Sequence, residues 1–170
     1  MLDDLKLINN RDPEDALGIA ANEWKQLEDR KQLPKDNFRP KNIVYSGMGG
    51  SALAASLAYT WPGFSMPFEV SRNYELPGYV SEDTLVILSS YSGNTEETLT
   101  SLKDAEEKGA HIYVICHGGQ LLELANAKNY PVVEVADSSQ PRYSVFSQLM
   151  AIVSVLEAMN LIAVSYTHLT

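Results

Sequence analysis

Short apolar runs alternate with amphipathic stretches through most of the chain. Five runs are mainly apolar, at residues 42–46, 68–70, 84–89, 111–116 and 131–136, and the second is the weakest. Such runs are typical of strands that are buried on both faces of a parallel sheet. Helical spacing fills the intervals, at residues 51–59, 95–108 and about 119–128, and again at residues 144–160. This alternation predicts an α/β fold, a three-layer doubly wound five-stranded parallel sheet with right-handed crossovers.

The first 40 residues predict a helical segment that precedes this domain. Asp12-Pro13 has the pattern of an N-cap with proline at the first helical position. Apolar residues at helical spacing extend the prediction to about Leu33, and a polar, proline-bearing link follows. We therefore expect a helical segment at 1–40 and the main domain at 41–163. The tail at 164–170 resembles a translated cloning scar, so we set it apart as non-native.

Composition narrows the class of protein. A chain of 170 residues with 45% hydrophobic residues suits one domain with a substantial core. The net charge of −9 disfavours nucleic acid and anionic membranes as partners. No apolar stretch approaches the roughly 20 residues of a membrane span, and no basic leader opens the chain. With Cys116 as the single cysteine, no internal disulfide is possible, so we expect a reducing, cytoplasmic location.

The loop after the first strand is rich in glycine and reads Gly47-Met48-Gly49-Gly50-Ser51-Ala52. Glycine lets a ligand approach the backbone closely, and a helix beginning near Ser51 would direct free N–H groups at an anion. The alternative for Ser51 is an ordinary N-cap. The spacing also matches a dinucleotide fingerprint, although Ser71-Arg72 stands where an acidic residue is expected. NADP binding therefore remains an alternative.

The loop after the third strand, residues 90–98, is rich in hydroxyl groups. Its sequence is Ser-Tyr-Ser-Gly-Asn-Thr-Glu-Glu-Thr, with no lysine or arginine. Hydroxyl and amide donors at a helix N-terminus suit a phosphate, which offers more acceptor oxygens than a carboxylate. The alternative is helix capping by Ser92 or Thr95. Capping explains one or two of the hydroxyls but not all of them.

Arg142 follows the fifth strand, at the start of the last predicted helix. A cation at a helix N-terminus opposes the helix dipole, unless an anion or a developing negative charge shares the space. The alternative is a surface ion pair. His111 and His117 bound the fourth strand, and we assign neither a catalytic role. No His/Cys/Asp/Glu spacing indicates a metal site.

The two loops, with Pro141-Arg142-Tyr143 after them, resemble the signature of the sugar isomerase (SIS) domain, which has a flavodoxin-like fold. The chain is similar to the N-terminal half of the bifunctional phosphoglucose/phosphomannose isomerases, and the resemblance covers nearly all of it from about Lys41 to Asn160. The resemblance implies a hexose 6-phosphate ligand, contacted through the sugar by Gly49, Gly50 and Ser51. It also implies that the phosphate binds Ser90, Ser92 and Thr95, and that Arg142 stabilises the enediolate.

The resemblance further implies that part of the active site lies outside this chain. Those enzymes interconvert glucose 6-phosphate or mannose 6-phosphate with fructose 6-phosphate, and they carry their proton-transferring glutamate in a second domain. We therefore expect a second SIS domain or a homodimer partner, and little activity from this chain alone. No metal or organic cofactor is expected, because the substrate carbonyl acidifies the migrating proton. Two alternatives remain: a complete single-domain isomerase acting as a homo-oligomer, and a non-catalytic sugar-phosphate sensor.

Overall fold

The computed structural model describes residues 4–60, 64–138 and 140–162. Its strands form a single parallel sheet in the order β2-β1-β3-β4-β5. This order is the flavodoxin-like one, and it confirms the predicted α/β fold. The strands are β1 (Asn42–Gly47), β2 (Phe68–Ser71), β3 (Thr84–Ser90), β4 (His111–Cys116) and β5 (Val132–Glu134).

Helices follow β1, β3, β4 and β5 and cover both faces of the sheet. In the main domain they are α3 (Gly49–Tyr59), α4 (Glu96–Glu107), α5 (Gly119–Lys128) and α6 (Val145–Ala158). Before β1 lie α1 (Leu5–Arg11), α2 (Ala16–Asn22) and a 3-10 segment, Glu23–Glu28. A second 3-10 segment, Pro141–Tyr143, precedes α6. None of the described helices is long and apolar enough to cross a membrane.

Alternate residues of the central strands enter separate hydrophobic cores on opposite faces of the sheet. Ile43 and Tyr45 pack with α3 and α6, whereas Val44 between them packs with α4 and α5. All three side chains are fully buried. Because both faces are covered, each central strand is continuously apolar, which is why the strand pattern was readable from the sequence.

The N-terminal segment differs from the single helix that the sequence predicted up to about Leu33. The Asp12 carboxylate does accept hydrogen bonds from helical N–H groups, those of Ala16 at 2.7 Å and Leu17 at 2.9 Å. However, Asp15 adopts a left-handed conformation with φ 54°, so α2 begins only at Ala16. The next residues tighten into a 3-10 segment whose side chains bond to the start of α6. The boundary at residue 40 stays a prediction, and the tail at 164–170 lies outside the described residues.

Asp36 connects the segment before β1 to the amino end of the sheet. Its Oδ2 lies 2.7 Å from His111 Nε2 and accepts a hydrogen bond from the Tyr113 hydroxyl at 3.0 Å. The Phe38 N–H donates to Oδ1 at 2.8 Å. Burial raises the pKa of Asp36, but these hydrogen bonds and the charge of protonated His111 outweigh it, so the pKa lies below its ordinary value.

A lowered pKa makes Asp36 a source of pH-dependent stability. The contribution is present above the unfolded-state pKa of about 3.9 and is lost as the pH falls through the folded-state pKa. We expect Asp36→Asn to lower the free energy of unfolding at neutral pH by about 1–2 kcal/mol. We also expect the variant to lose less stability than the wild type on acidification, as measured by urea denaturation.

The control for this prediction is Asp83→Asn. The Asp83 carboxylate pairs with Lys41 at 2.6 Å, but both side chains are exposed. An exposed pair contributes little, so this variant should unfold like the wild type across the same pH range. Equal acid sensitivity of the wild type and Asp36→Asn would contradict the prediction.

Candidate functional site

The candidate site lies at the carboxyl ends of β1 and β3, where the chain direction across the sheet reverses. Gly47 and Ser89 are register partners on these strands. From β1 the chain enters α3 on one face of the sheet, and from β3 it enters α4 on the other. A ligand-binding crevice is expected at such a switch point.

The glycine loop forms the first turn of α3. The helix begins at Gly49, two residues earlier than predicted, with Met48 as its N-cap. Gly49 is exposed and has a φ of 52°, a conformation that favours glycine. Ser51 is therefore the third residue of the helix rather than its N-cap, which removes the ordinary capping explanation for this residue.

A buried tyrosine stabilises the same turn from below. The Tyr45 hydroxyl donates a hydrogen bond to the Ser51 carbonyl at 3.0 Å. Burial raises the pKa of Tyr45, so the phenol remains a protonated donor at neutral pH. This contact fixes the backbone of the first helical turn from the core side and leaves its outer side toward solvent.

The hydroxyl loop is organised by bonds among its own members. Ser90 Oγ and Thr95 Oγ1 lie 2.8 Å apart, and the Gly93 N–H donates to Ser90 Oγ at 3.1 Å. Ser92 is exposed, and its Oγ accepts a bond from the Asn94 N–H at 3.3 Å. Thr95 is the N-cap of α4 but makes no side-chain capping bond. Ordinary capping by Ser92 or Thr95 is therefore not what these hydroxyls do.

The hydroxyl loop packs closely against the loop after β4. A Cβ atom added at Gly93 would lie 1.7 Å from the Gly118 carbonyl oxygen, and Gly93 has a φ of 69°. The Leu121 N–H donates to the Gly93 carbonyl at 2.9 Å, and the Gln120 N–H donates to Asn94 Oδ1 at 3.1 Å. The 118–121 turn therefore supports the loop, a contact that the sequence analysis did not assign.

Arg142 lies in the 3-10 segment Pro141–Tyr143, just before α6 rather than inside it. A Cβ atom added at Gly50 would lie 3.4 Å from the Pro141 carbonyl oxygen and 3.8 Å from the Arg142 Cα atom, so this turn borders the glycine loop. The Arg142 side chain is exposed, and it makes no hydrogen bond or ion pair with any residue that the structure describes. The surface ion pair considered as an alternative is not found there.

Gln26 is a residue of the N-terminal segment that reaches this turn. Its Nε2 donates to the Tyr143 carbonyl, and its Oε1 accepts from the Ser147 N–H at 3.0 Å. The side chain thereby caps the first turn of α6 from outside. No local pattern could reveal this contact, because 117 residues separate Gln26 from Tyr143.

His117 contacts Tyr91 of the hydroxyl loop. The His117 ring stacks on Tyr91 with ring centroids 5.3 Å apart, and its Nδ1 bonds to the Val135 carbonyl at 3.0 Å. Its Nε2 lies 3.5 Å from Asp137 Oδ1, and the absence of a catalytic role for His117 stays a prediction. Within the described ranges, no group of three or more His, Cys, Asp or Glu residues could hold a metal ion.

Comparison with known proteins establishes the class of this domain. Residues 38–158 match the SIS domain, so the chain belongs to the SIS domain family. A bifunctional phosphoglucose/phosphomannose isomerase from Caldicellulosiruptor bescii is 44% identical over 117 residues, which are 65% of this chain and 34% of that protein. Other matched relatives carry the same name.

The related proteins differ in the reaction that they are named for. A D-glucosamine-6-phosphate 4-epimerase from Sulfolobus acidocaldarius is 36% identical over 104 residues, which are 61% of this chain and 33% of that protein. This chain thus spans about a third of the length of either relative. A hypothetical protein from Thermus thermophilus has a similar fold, with a TM-score of 0.60 at 19% identity; the match covers 92% of this chain and 41% of that one.

The close contact between Gly93 and Gly118 predicts that a larger residue at position 93 destabilises the fold. Gly93→Ala should lower the free energy of unfolding by about 3 kcal/mol or more, because the new methyl group would overlap a backbone carbonyl at a positive φ. Gly109→Ala is the matched control, since Gly109 has a φ of 67° but nothing within 4 Å of its Cβ position. The control should cost only about 1–2 kcal/mol. Equal losses in urea denaturation would mean that the two loops are not in close contact.

Proposed function

We propose that this SIS domain binds a hexose 6-phosphate as part of an aldose–ketose isomerase. The parent enzyme would interconvert glucose 6-phosphate or mannose 6-phosphate with fructose 6-phosphate, within glycolysis and gluconeogenesis in the cytoplasm. The observation that carries the proposal is the hydroxyl loop at the N-terminus of α4, where the N-cap makes no side-chain capping bond. Relatives named phosphoglucose/phosphomannose isomerase support the choice of reaction.

The phosphate would bind at the hydroxyl loop through neutral donors. Ser90 and Thr95 already share a hydrogen bond, and Ser92 lies exposed beside them. Each hydroxyl can rotate to donate to a phosphate oxygen, and the positive end of the α4 dipole adds a favourable field. Neutral donors and a helix dipole allow anion binding on a chain with a net charge of −9.

The sugar would extend from the phosphate across the glycine loop toward Arg142. Gly49 and Gly50 leave room for a ligand at the backbone, and Ser51 lies in the same first turn of α3. The Arg142 guanidinium has several N–H donors in one plane, and it makes no bond to other described residues. It would therefore be available to stabilise the negative charge that develops on the enediolate oxygens.

Isomerisation also needs a base that moves a proton between C1 and C2 of the substrate. We propose that this base comes from a second SIS domain or from a second copy of the chain, as the resemblance implies. The residues of this chain would then supply phosphate binding and charge stabilisation, with no metal or organic cofactor. On this proposal, the chain alone binds the sugar phosphate weakly and turns it over little.

The first test is calorimetric titration of the purified chain with fructose 6-phosphate. We expect Ser92→Ala to weaken binding about tenfold, because a phosphate oxygen loses a donor. Arg142→Ala should weaken the binding of fructose 6-phosphate less, because the main interaction of Arg142 forms with the enediolate. Thr100→Ala is the control: it removes an exposed hydroxyl from α4, beyond the loop, and should bind like the wild type.

A coupled isomerase assay on the same sample separates the alternatives. Binding without turnover would support a domain that needs a partner for its base. Binding with turnover would identify a complete single-domain isomerase. No binding of any sugar phosphate, together with binding of NADPH, would refute the proposed function.

A further inference from the structure

A chain of buried hydrogen bonds connects the end of β3 to the Arg142 turn. Ser89 Oγ donates to Gln148 Oε1 at 3.1 Å, and Gln148 Nε2 donates to Ser144 Oγ at 2.8 Å. Ser144 Oγ in turn donates to the Pro141 carbonyl at 2.7 Å. Ser89 and Gln148 are 0% exposed and Ser144 is 1% exposed, so water does not compete for these bonds.

Packing alone does not explain an amide at position 148. The neighbouring buried positions of α6 are mainly small or aliphatic, and an apolar side chain there would avoid the cost of burying an amide. Gln148 is accommodated because both ends of its amide find partners. The partners are therefore the informative feature: one belongs to the strand before the hydroxyl loop, and the other to the turn that carries Arg142.

We propose that Gln148 is a positioning residue that fixes Arg142 relative to the phosphate-binding loop. The proposal rests on the function proposed above. Because the Arg142 side chain makes no bond to other described residues, its position depends on the backbone turn that carries it. The carbonyl of Pro141, directly before Arg142, is the end of the buried chain, and it also borders Gly50.

Positioning of this kind matters for charge stabilisation. A guanidinium displaced by about an ångström loses much of its interaction with developing charge, whereas phosphate binding at the hydroxyl loop would be almost unaffected. Substitution of Gln148 should therefore lower the affinity for ligands that reach Arg142 and leave the affinity for inorganic phosphate almost unchanged. A merely structural role would weaken both ligands together through loss of folded protein.

The test uses two probes and a double-mutant cycle on the purified chain. The probes are inorganic phosphate and 5-phosphoarabinonate, whose carboxylate imitates the enediolate oxygens, with affinities from NMR titration. We expect Gln148→Met and Arg142→Ala each to weaken the binding of 5-phosphoarabinonate about tenfold. The affinity for inorganic phosphate should fall less than about twofold in each variant. The double variant should be no weaker than Arg142→Ala alone, because Gln148 acts through Arg142.

Two further variants separate the positioning effect from an effect of lost folding. Ser144→Ala breaks the same chain at the next link with little change in volume, and it should reproduce the selective loss if Gln148→Met does not fold. Ser154→Ala is the control: Ser154 is buried in the same helix, and its hydroxyl donates to the Met150 carbonyl at 2.8 Å and accepts from the Lys31 N–H at 3.2 Å, away from the Arg142 turn. It should leave both affinities unchanged.

The outcomes distinguish this inference from the proposed function. If 5-phosphoarabinonate binding depends on Arg142 but not on Gln148 or Ser144, the positioning role is wrong and the proposed function stands. Additive losses in the double variant would also overturn the positioning role. If the wild type binds neither probe, or Arg142→Ala binds both like the wild type, the proposed role of Arg142 fails and the positioning role fails with it.

Discussion

The parallel pairing of β1 with β3 is the constraint on which the candidate site depends. Their register sets Gly47 beside Ser89, so the glycine loop and the hydroxyl loop begin next to each other. Both strands are buried on two faces, and a shift by one residue would exchange the side chains between the two cores. The apolar packing that fixes this register therefore also fixes the distance between the parts of the site.

Backbone contacts then determine the shape of the site more than side-chain packing does. Gly93 approaches the Gly118 carbonyl and Gly50 approaches the Pro141 carbonyl, so the connecting segments at the carboxyl ends of the strands lie against one another in two pairs. A side chain at Gly93 would separate the first pair of loops. The glycines differ in what they permit, since Gly93 allows one loop to pack on another, whereas on the proposed function Gly49 and Gly50 leave room for a ligand.

The sequence was informative where the structural cause is local or periodic. The buried strands were recognisable because both faces are apolar, and candidate site residues could be chosen because they directly follow strands. The prediction of one long N-terminal helix was wrong: Asp15 takes a left-handed conformation that delays α2 to Ala16, and α2 ends at Asn22, where a 3-10 segment follows. Gln26 and Gln148 were not identified, since Tyr143 lies 117 residues from Gln26 and Ser89 lies 59 residues from Gln148 along the chain.

The two glutamines explain how an exposed arginine can be held without a charged partner. Gln26 bonds to the backbone after Arg142, and Gln148 reaches the backbone before it through Ser144. A carboxylate near Arg142 would position the side chain too, but it would also neutralise the guanidinium and compete with an anionic ligand. Fixing the backbone with uncharged amides leaves the positive charge available. On the proposed function, the Arg142 guanidinium then interacts with the substrate and not with a carboxylate of the protein. Preorganised stabilisation of developing charge requires such a positioned and unneutralised group.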